Sequence, residues 1–199
     1  MNTVDVLVIG HLERNPDGST IASETFSSSA LICTGGHNIV VDTSSNFMRA
    51  GIRTSLKQIG KVFPDDIDIV VLTHTHPDHM GNVGMFRKAR VMVRAEEAEN
   101  VPDSEPIDKD EVEITKGVKL VYTPGHTMGS MSVFVEGDRN YVIAGDAIPL
   151  KNNFLKMEPP TINCGPELAL SSIKKISAFA DIIVPGHGSP FLTGRRKRR

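Results

Sequence analysis

Apolar and polar positions alternate along this chain in short blocks, and the blocks predict strands joined by turns, with two clear helices among them. Residues 4–9 and 26–33 read as strands, the second half polar at its start. Thr34-Gly35-Gly36-His37-Asn38 predicts a hairpin turn returning through residues 39–41, with His37 exposed on it. Residues 47–61 predict a helix, because Ile52, Leu56, Ile59 and Phe63 fall at helical spacing with Arg53, Lys57 and Lys61 on another face. Residues 67–72 form a short, β-branched apolar run of the kind that is buried as a strand. Residues 81–88 predict a short helix, 89–93 a strand and 96–100 a helical turn, with 101–110 a polar loop. Strands follow at 112–114, 118–122, 131–135 and 141–144; 147–165 reads as a long loop, 167–180 as a helix and 181–184 as the last strand.

Ordinary composition supports a globular reading. The chain has 199 residues, 39% hydrophobic and 23% charged, which fits one domain with a full core. We expect a single domain over residues 1–192 and a basic tail over 193–199. No apolar run approaches a membrane span, and the start, with Asp5 inside its apolar run, reads as a strand and not a leader. Two cysteines, Cys33 and Cys164, are too few for a disulfide framework; the expectation is free thiols and a cytoplasmic protein. The net charge of −2 conceals an asymmetry. Without the last five residues, all Arg or Lys, 17 cations face 24 carboxylates for a net of −7. An acidic body disfavours a polyanionic partner, while the tail is a solvated terminus or a phosphate grip.

The chemistry concentrates in Thr73-His74-Thr75-His76-Pro77-Asp78-His79, directly after the buried run at 67–72. Turns favour Gly, Asn, Ser and Pro, and not His. Side chains two apart on extended chain face the same side, so His74 and His76 can address one point. After Pro77, Asp78 and His79 can address a second. Imidazole and carboxylate donors together suit Zn²⁺ and its neighbours. His126, Asp146 and His187 each follow a predicted strand, beside glycines, so strand ends along one sheet edge can bring them to the cluster.

The pattern His74-x-His76-x-Asp78-His79, then Gly125-His126, Gly145-Asp146 and Gly186-His187-Gly188, resembles the metallo-β-lactamase superfamily. The resemblance implies an α/β chain folded as a four-layer αββα sandwich with the site on loops at one edge. It implies that His74, His76 and His126 hold one divalent ion, that Asp78, His79 and His187 hold a second, and that Asp146 bridges them. Asp42 would orient a ligand from behind by accepting an imidazole N–H. Zinc is the expected metal, with Mn or Fe the alternatives. A hydroxide bridging the metals would attack an ester-type bond, and Asp78 would orient it or move its proton. Lys151, Asn152 and Asn153 are candidates for lining the mouth.

Aspartate at position 146, where common β-lactamases of this superfamily carry Cys, argues against antibiotic hydrolysis. Within the superfamily the chain is similar to the small metallo-β-lactamase domain-containing protein 1 group, through Pro16-Asp17-Gly18, Val41-Asp42-Thr43, Asp78-His79-Met80-Gly81-Asn82 and the run from Ala180 to Phe191. That group's animal member is associated with histone pre-mRNA cleavage. Two substrate classes therefore stay open: a small ester, thioester or lactone, and alternatively nucleic acid cut by a ribonuclease or phosphodiesterase. A homodimer is compatible with either.

Overall fold

The computed structural model describes residues 1–195; residues 196–199 of the basic tail lie outside the described residues. Two six-stranded sheets organise the chain. The first runs in the order β1 (Thr3–Val8), β2 (Ser29–Cys33), β3 (Asn38–Val41), β4 (Ile69–Val71), β5 (Arg90–Arg94), β6 (Glu105–Ile107). The second runs β12 (Phe191–Leu192), β11 (Ile182–Pro185), β10 (Asn140–Gly145), β9 (Met131–Glu136), β8 (Val118–Tyr122), β7 (Glu111–Thr115). β3 to β6 pair in parallel, as do β10 and β11; the remaining pairs are antiparallel.

Strand periodicity explains the layering. Ala30, Ile32, Ile39, Val41, Ile69 and Val71 of the first sheet pack on Leu120, Val133, Val135, Ile143 and Val184 of the second, forming the inter-sheet core. The alternate residues Leu31, Val40 and Val70 face outward, where Ile52 of α1 (Arg49–Ser55), Leu56 and Phe86 cover them. On the other side Phe134, Val142 and Ile183 are covered by Ile173 and Ile176 of α4 (Pro166–Phe179). Helix, sheet, sheet, helix is the αββα sandwich. Strands buried on both faces explain why 39–41 and 69–71 read as unbroken apolar runs instead of alternating ones.

Several elements depart from the sequence expectation. The helix expected over 47–61 is three pieces: a 3₁₀ turn at Asn46–Met48, α1, and a wider turn at Leu56–Gly60 that ends with Lys61 in the left-handed region. The helix expected at 81–88 starts earlier, as α2 (Pro77–Met80), where Pro77 occupies the first turn without losing a bond. Only a 3₁₀ turn, Val83–Met85, follows it. The loops expected at 101–110 and 147–165 contain β6 and α3 (Lys151–Lys156). β6 was obscured by Pro106, which an edge strand tolerates. No helix among the described residues is long and apolar enough to cross a membrane.

Candidate metal centre

Both sheets deliver the site. His74 and His76 follow β4 of the first sheet; His126 follows β8, Asp146 follows β10 and His187 follows β11 of the second. Asp78 and His79 sit on α2, whose proline-initiated turn swings them away from His76. All seven residues come together. His37 stays exposed on its hairpin turn, outside the cluster.

Three imidazoles form one group. His76 Nδ1 lies 3.1 Å from His74 Nε2 and 3.0 Å from His126 Nε2. The rings stand edge-on to one another at 78°, 85° and 89°. Nitrogens bound tetrahedrally to zinc at about 2.0–2.1 Å are roughly 3.3 Å apart, so this spacing fits one cation. A second group comprises Asp78, His79 and His187, with Asp78 Oδ2 3.5 Å from His187 Nε2 and 4.0 Å from His79 Nε2.

Asp146 faces both groups with different oxygens. Its Oδ2 lies 3.5 Å from His126 Nε2, and its Oδ1 lies 3.4 Å from both His79 Nε2 and His187 Nε2. His79 Nε2 and Asp146 Oδ1 are buried with no hydrogen-bond partner, because 3.4 Å between them is an ion-pair distance without hydrogen-bond alignment. Buried polar atoms left without partners are rare, and here two of them converge on one point. A divalent cation would satisfy both, and the donor set of imidazole and carboxylate fits it.

The imidazole rings of the candidate site are held from behind. Asp42, itself in the left-handed region at φ 53°, accepts His79 Nδ1–H at 2.8 Å and also the Thr73 backbone N–H and hydroxyl at 2.7 and 2.8 Å. His126 Nδ1 donates to the Ile162 carbonyl at 2.9 Å, and His187 Nδ1 to the Phe26 carbonyl at 3.0 Å. Each bond leaves Nε2 free to face inward.

Charge separates the groups in the metal-free protein. Burial, with neighbouring His79, pushes His74 well below the ordinary imidazole range; burial and His126 lower His76. Burial also opposes protonation of His79, but the Asp42 and Asp146 carboxylates outweigh it and hold His79 well above that range. Asp146 likewise outweighs burial at His187 and raises it. Burial of Asp146 is in turn outweighed by His187 and His79, which hold its carboxyl well below the usual range.

A cavity of about 930 Å³ opens over His76, Asp78, His126, Asp146 and His187. Its remaining walls are mostly apolar, including Leu12, Phe47, Met80, Val83 and Ile162. Arg14 is the only Lys or Arg lining it among the described residues. Lys151, Asn152 and Asn153 do not line it, correcting the expectation from sequence; Asn153 instead caps its own turn through the Leu150 N–H and the Glu158 and Pro159 carbonyls. The sequence also did not reveal the wall formed by the 12–25 segment. Its turn signal at Asn15-Pro16-Asp17-Gly18 was legible, but nothing local ties it to histidines more than 50 positions away.

Comparison with known proteins identifies the family. The family model for the metallo-beta-lactamase superfamily matches residues 22–187. The "Probable metallo-hydrolase" of Methanocaldococcus jannaschii is 41% identical over 152 residues, covering 75% of this chain and 70% of that protein. Metallo-beta-lactamase domain-containing protein 1 of Xenopus laevis is 31% identical over 176 residues, covering 82% and 71%. An N-acyl homoserine lactone hydrolase, solved with the product N-hexanoyl-L-homoserine at its catalytic metal center, superposes with a TM-score of 0.75 at 25% identity, over 94% of this chain and 92% of that one. The chain belongs to the metallo-beta-lactamase superfamily and is a metal-dependent hydrolase.

Proposed function

We propose that this chain hydrolyses a small acyl ester, thioester or lactone at a two-metal centre. The observation that carries the reading is Asp146, whose two oxygens face the two ligand groups at the floor of an apolar cavity. His74, His76 and His126 would hold one ion, Asp78, His79 and His187 the other, with Asp146 shared between them. Bound there, the two ions would supply a water ionised near neutrality and a Lewis acid for the carbonyl oxygen. Zinc suits the donors best; Mn or Fe are the alternatives.

The chain's own residues do the rest. Asp78 lines the cavity with its side chain one-quarter exposed, and there it would orient the attacking water and take its proton. Leu12, Phe47, Met80, Val83 and Ile162 give an acyl chain an apolar bed and exclude water from it. The lactone hydrolase with its acyl-homoserine product supports the same class. The nucleic-acid alternative draws on the resemblance stated from sequence and on the basic tail, while the cavity offers a polyanion a single arginine among the described residues. Residues 1–192 would act as one domain, and the two unpaired cysteines suit a reducing cytoplasm.

A hydrolysis screen over lactones, thioesters, carboxylic esters, phosphodiesters and oligoribonucleotides tests the reading. Turnover of an acyl substrate, with phosphodiesters inert, is expected. Cleavage confined to phosphodiesters or RNA would replace it with the alternative.

A further inference from the structure

We propose that Glu97 is a positioning residue for the three-imidazole group, strapping together the two loops that carry it; the inference rests on the metal reading above. Glu97 lies on the 3₁₀ turn Ala95–Asn100 after β5, belongs to no ligand group and does not line the cavity. It is nevertheless buried, at 8% exposure. A carboxylate in that position needs a reason, and its partners supply one.

Glu97 Oε2 accepts the Thr75 backbone N–H at 3.2 Å and the Thr75 hydroxyl. Its Oε1 accepts the Thr127 hydroxyl at 2.5 Å. Thr75 stands between His74 and His76, and Thr127 follows His126 directly. One carboxylate therefore grips both histidine loops, one from each sheet. Because a carboxylate only accepts, both hydroxyl protons are committed to it. Thr75 Oγ1 then accepts from Asn100 Nδ2 at 2.9 Å. Thr127 Oγ1 accepts from the Ser130 hydroxyl at 2.9 Å, whose oxygen takes the Thr127 N–H at 3.1 Å. Every donor direction in the network is thereby fixed, which holds its geometry in one arrangement.

The packing agrees. A Cβ at Gly129 would fall 2.2 Å from Glu97 Cγ, so the His126 loop lies directly on the Glu97 side chain. The backbone tie between the loops among the described residues, Met131 N–H to the Thr73 carbonyl at 2.8 Å, lies before His74 on one loop and five positions after His126 on the other, and leaves the tips to Glu97. The 3.0 Å approach of His76 to His126 spans those tips. Glu97 thus serves the three-imidazole group much as Asp42 serves His79, but through the backbone and hydroxyls of neighbouring threonines.

The test is zinc titration of the metal-free protein against a competing chelator, with histidine ring resonances read by NMR. The ion seen by His76 and His126 should bind about 10–100-fold more weakly in Glu97→Gln, the range for lost outer partners of metal ligands. The ion seen by His187 should keep its affinity. Thr127→Val should reproduce the loss and Thr127→Ser should restore binding, while Asp42→Asn should give the opposite pattern between the two ions. Unchanged affinity in Glu97→Gln, or an equal loss at both ions with a lower melting temperature of the metal-free protein, would overturn the strap. Should Glu97→Gln fail to fold, equal affinities in Thr127→Val and Thr127→Ser would overturn it instead. Wild-type protein that shifts none of these rings with zinc would overturn the metal reading itself, a distinct result.

Discussion

Gly186 passes so close to Asp146 that a Cβ on it would stand 1.9 Å from Asp146 Oδ1. The strand end that delivers His187 thus fits against the carboxylate that faces both ligand groups, and only glycine permits the approach. Gly186→Ala must displace Asp146 or the backbone before His187. A displacement of about 1 Å at such a site is worth on the order of 100-fold in rate. We expect kcat/KM to fall by at least that much, with circular dichroism near wild type; full activity in the variant would refute the contact.

Asp42 holds the Nδ1 side of His79 and both donors of Thr73. Asp42→Asn keeps the shape and removes the charge. Metal affinity at the Asp78, His79 and His187 group should fall about 10–100-fold. Calorimetric titration with zinc checks it, and an unchanged isotherm would show that Asp42 acts only on the Thr73 turn.

These two residues show what sequence could and could not disclose. His74, His76, Asp78 and His79 were legible because four donor side chains crowd one strand end, where local spacing alone implies shared points. His126, Asp146 and His187 were legible through the strand-then-glycine context. Asp42 could be assigned through family resemblance, but its bonds to Thr73 span 31 positions and no local pattern encodes them. Glu97 was hidden as one of several acidic residues in Ala95–Asn100, since burial of a single carboxylate by tertiary packing leaves no periodic trace. The layers of the sandwich were implied by the family resemblance; the apolar runs at 39–41 and 67–72 by themselves indicated only buried strands. The break of the 47–61 helix was not legible, because Leu56 and Ile59 keep helical spacing through a turn that is wider than an α-helix.

Acid should strip the two ions in order. His79 and His187 are raised in the metal-free protein, so their protonated forms persist to higher pH and compete with the cation there. His74 and His76 are lowered, so protons compete with their ion only at lower pH. As pH falls from neutrality, the ion at His79 and His187 should leave first. Metal content of protein equilibrated across a pH series should step from two ions to one before reaching none; simultaneous loss would contradict the charge separation.

The apolar wall predicts chain-length preference. Each buried methylene of the acyl chain is worth at most about 0.8 kcal/mol, roughly fourfold in kcat/KM. Catalytic efficiency should climb along a homologous ester series until the chain outgrows the wall. Phe47 lines the cavity and is 49% exposed, so Phe47→Ala should flatten the climb without unfolding the protein. A series with no slope in the wild type would remove the apolar wall from substrate recognition.

Asp146 would join two ligand groups into one hydrolytic centre. The most direct test of this measures bound metal and acyl-ester turnover on the same preparations of wild type, His76→Ala and Asp146→Asn. Two ions and turnover are expected in the wild type, and at least a 100-fold loss of turnover in both variants, with fewer ions retained and the fold kept. Wild-type turnover that survives removal of all metal, or full activity in both variants, would contradict it.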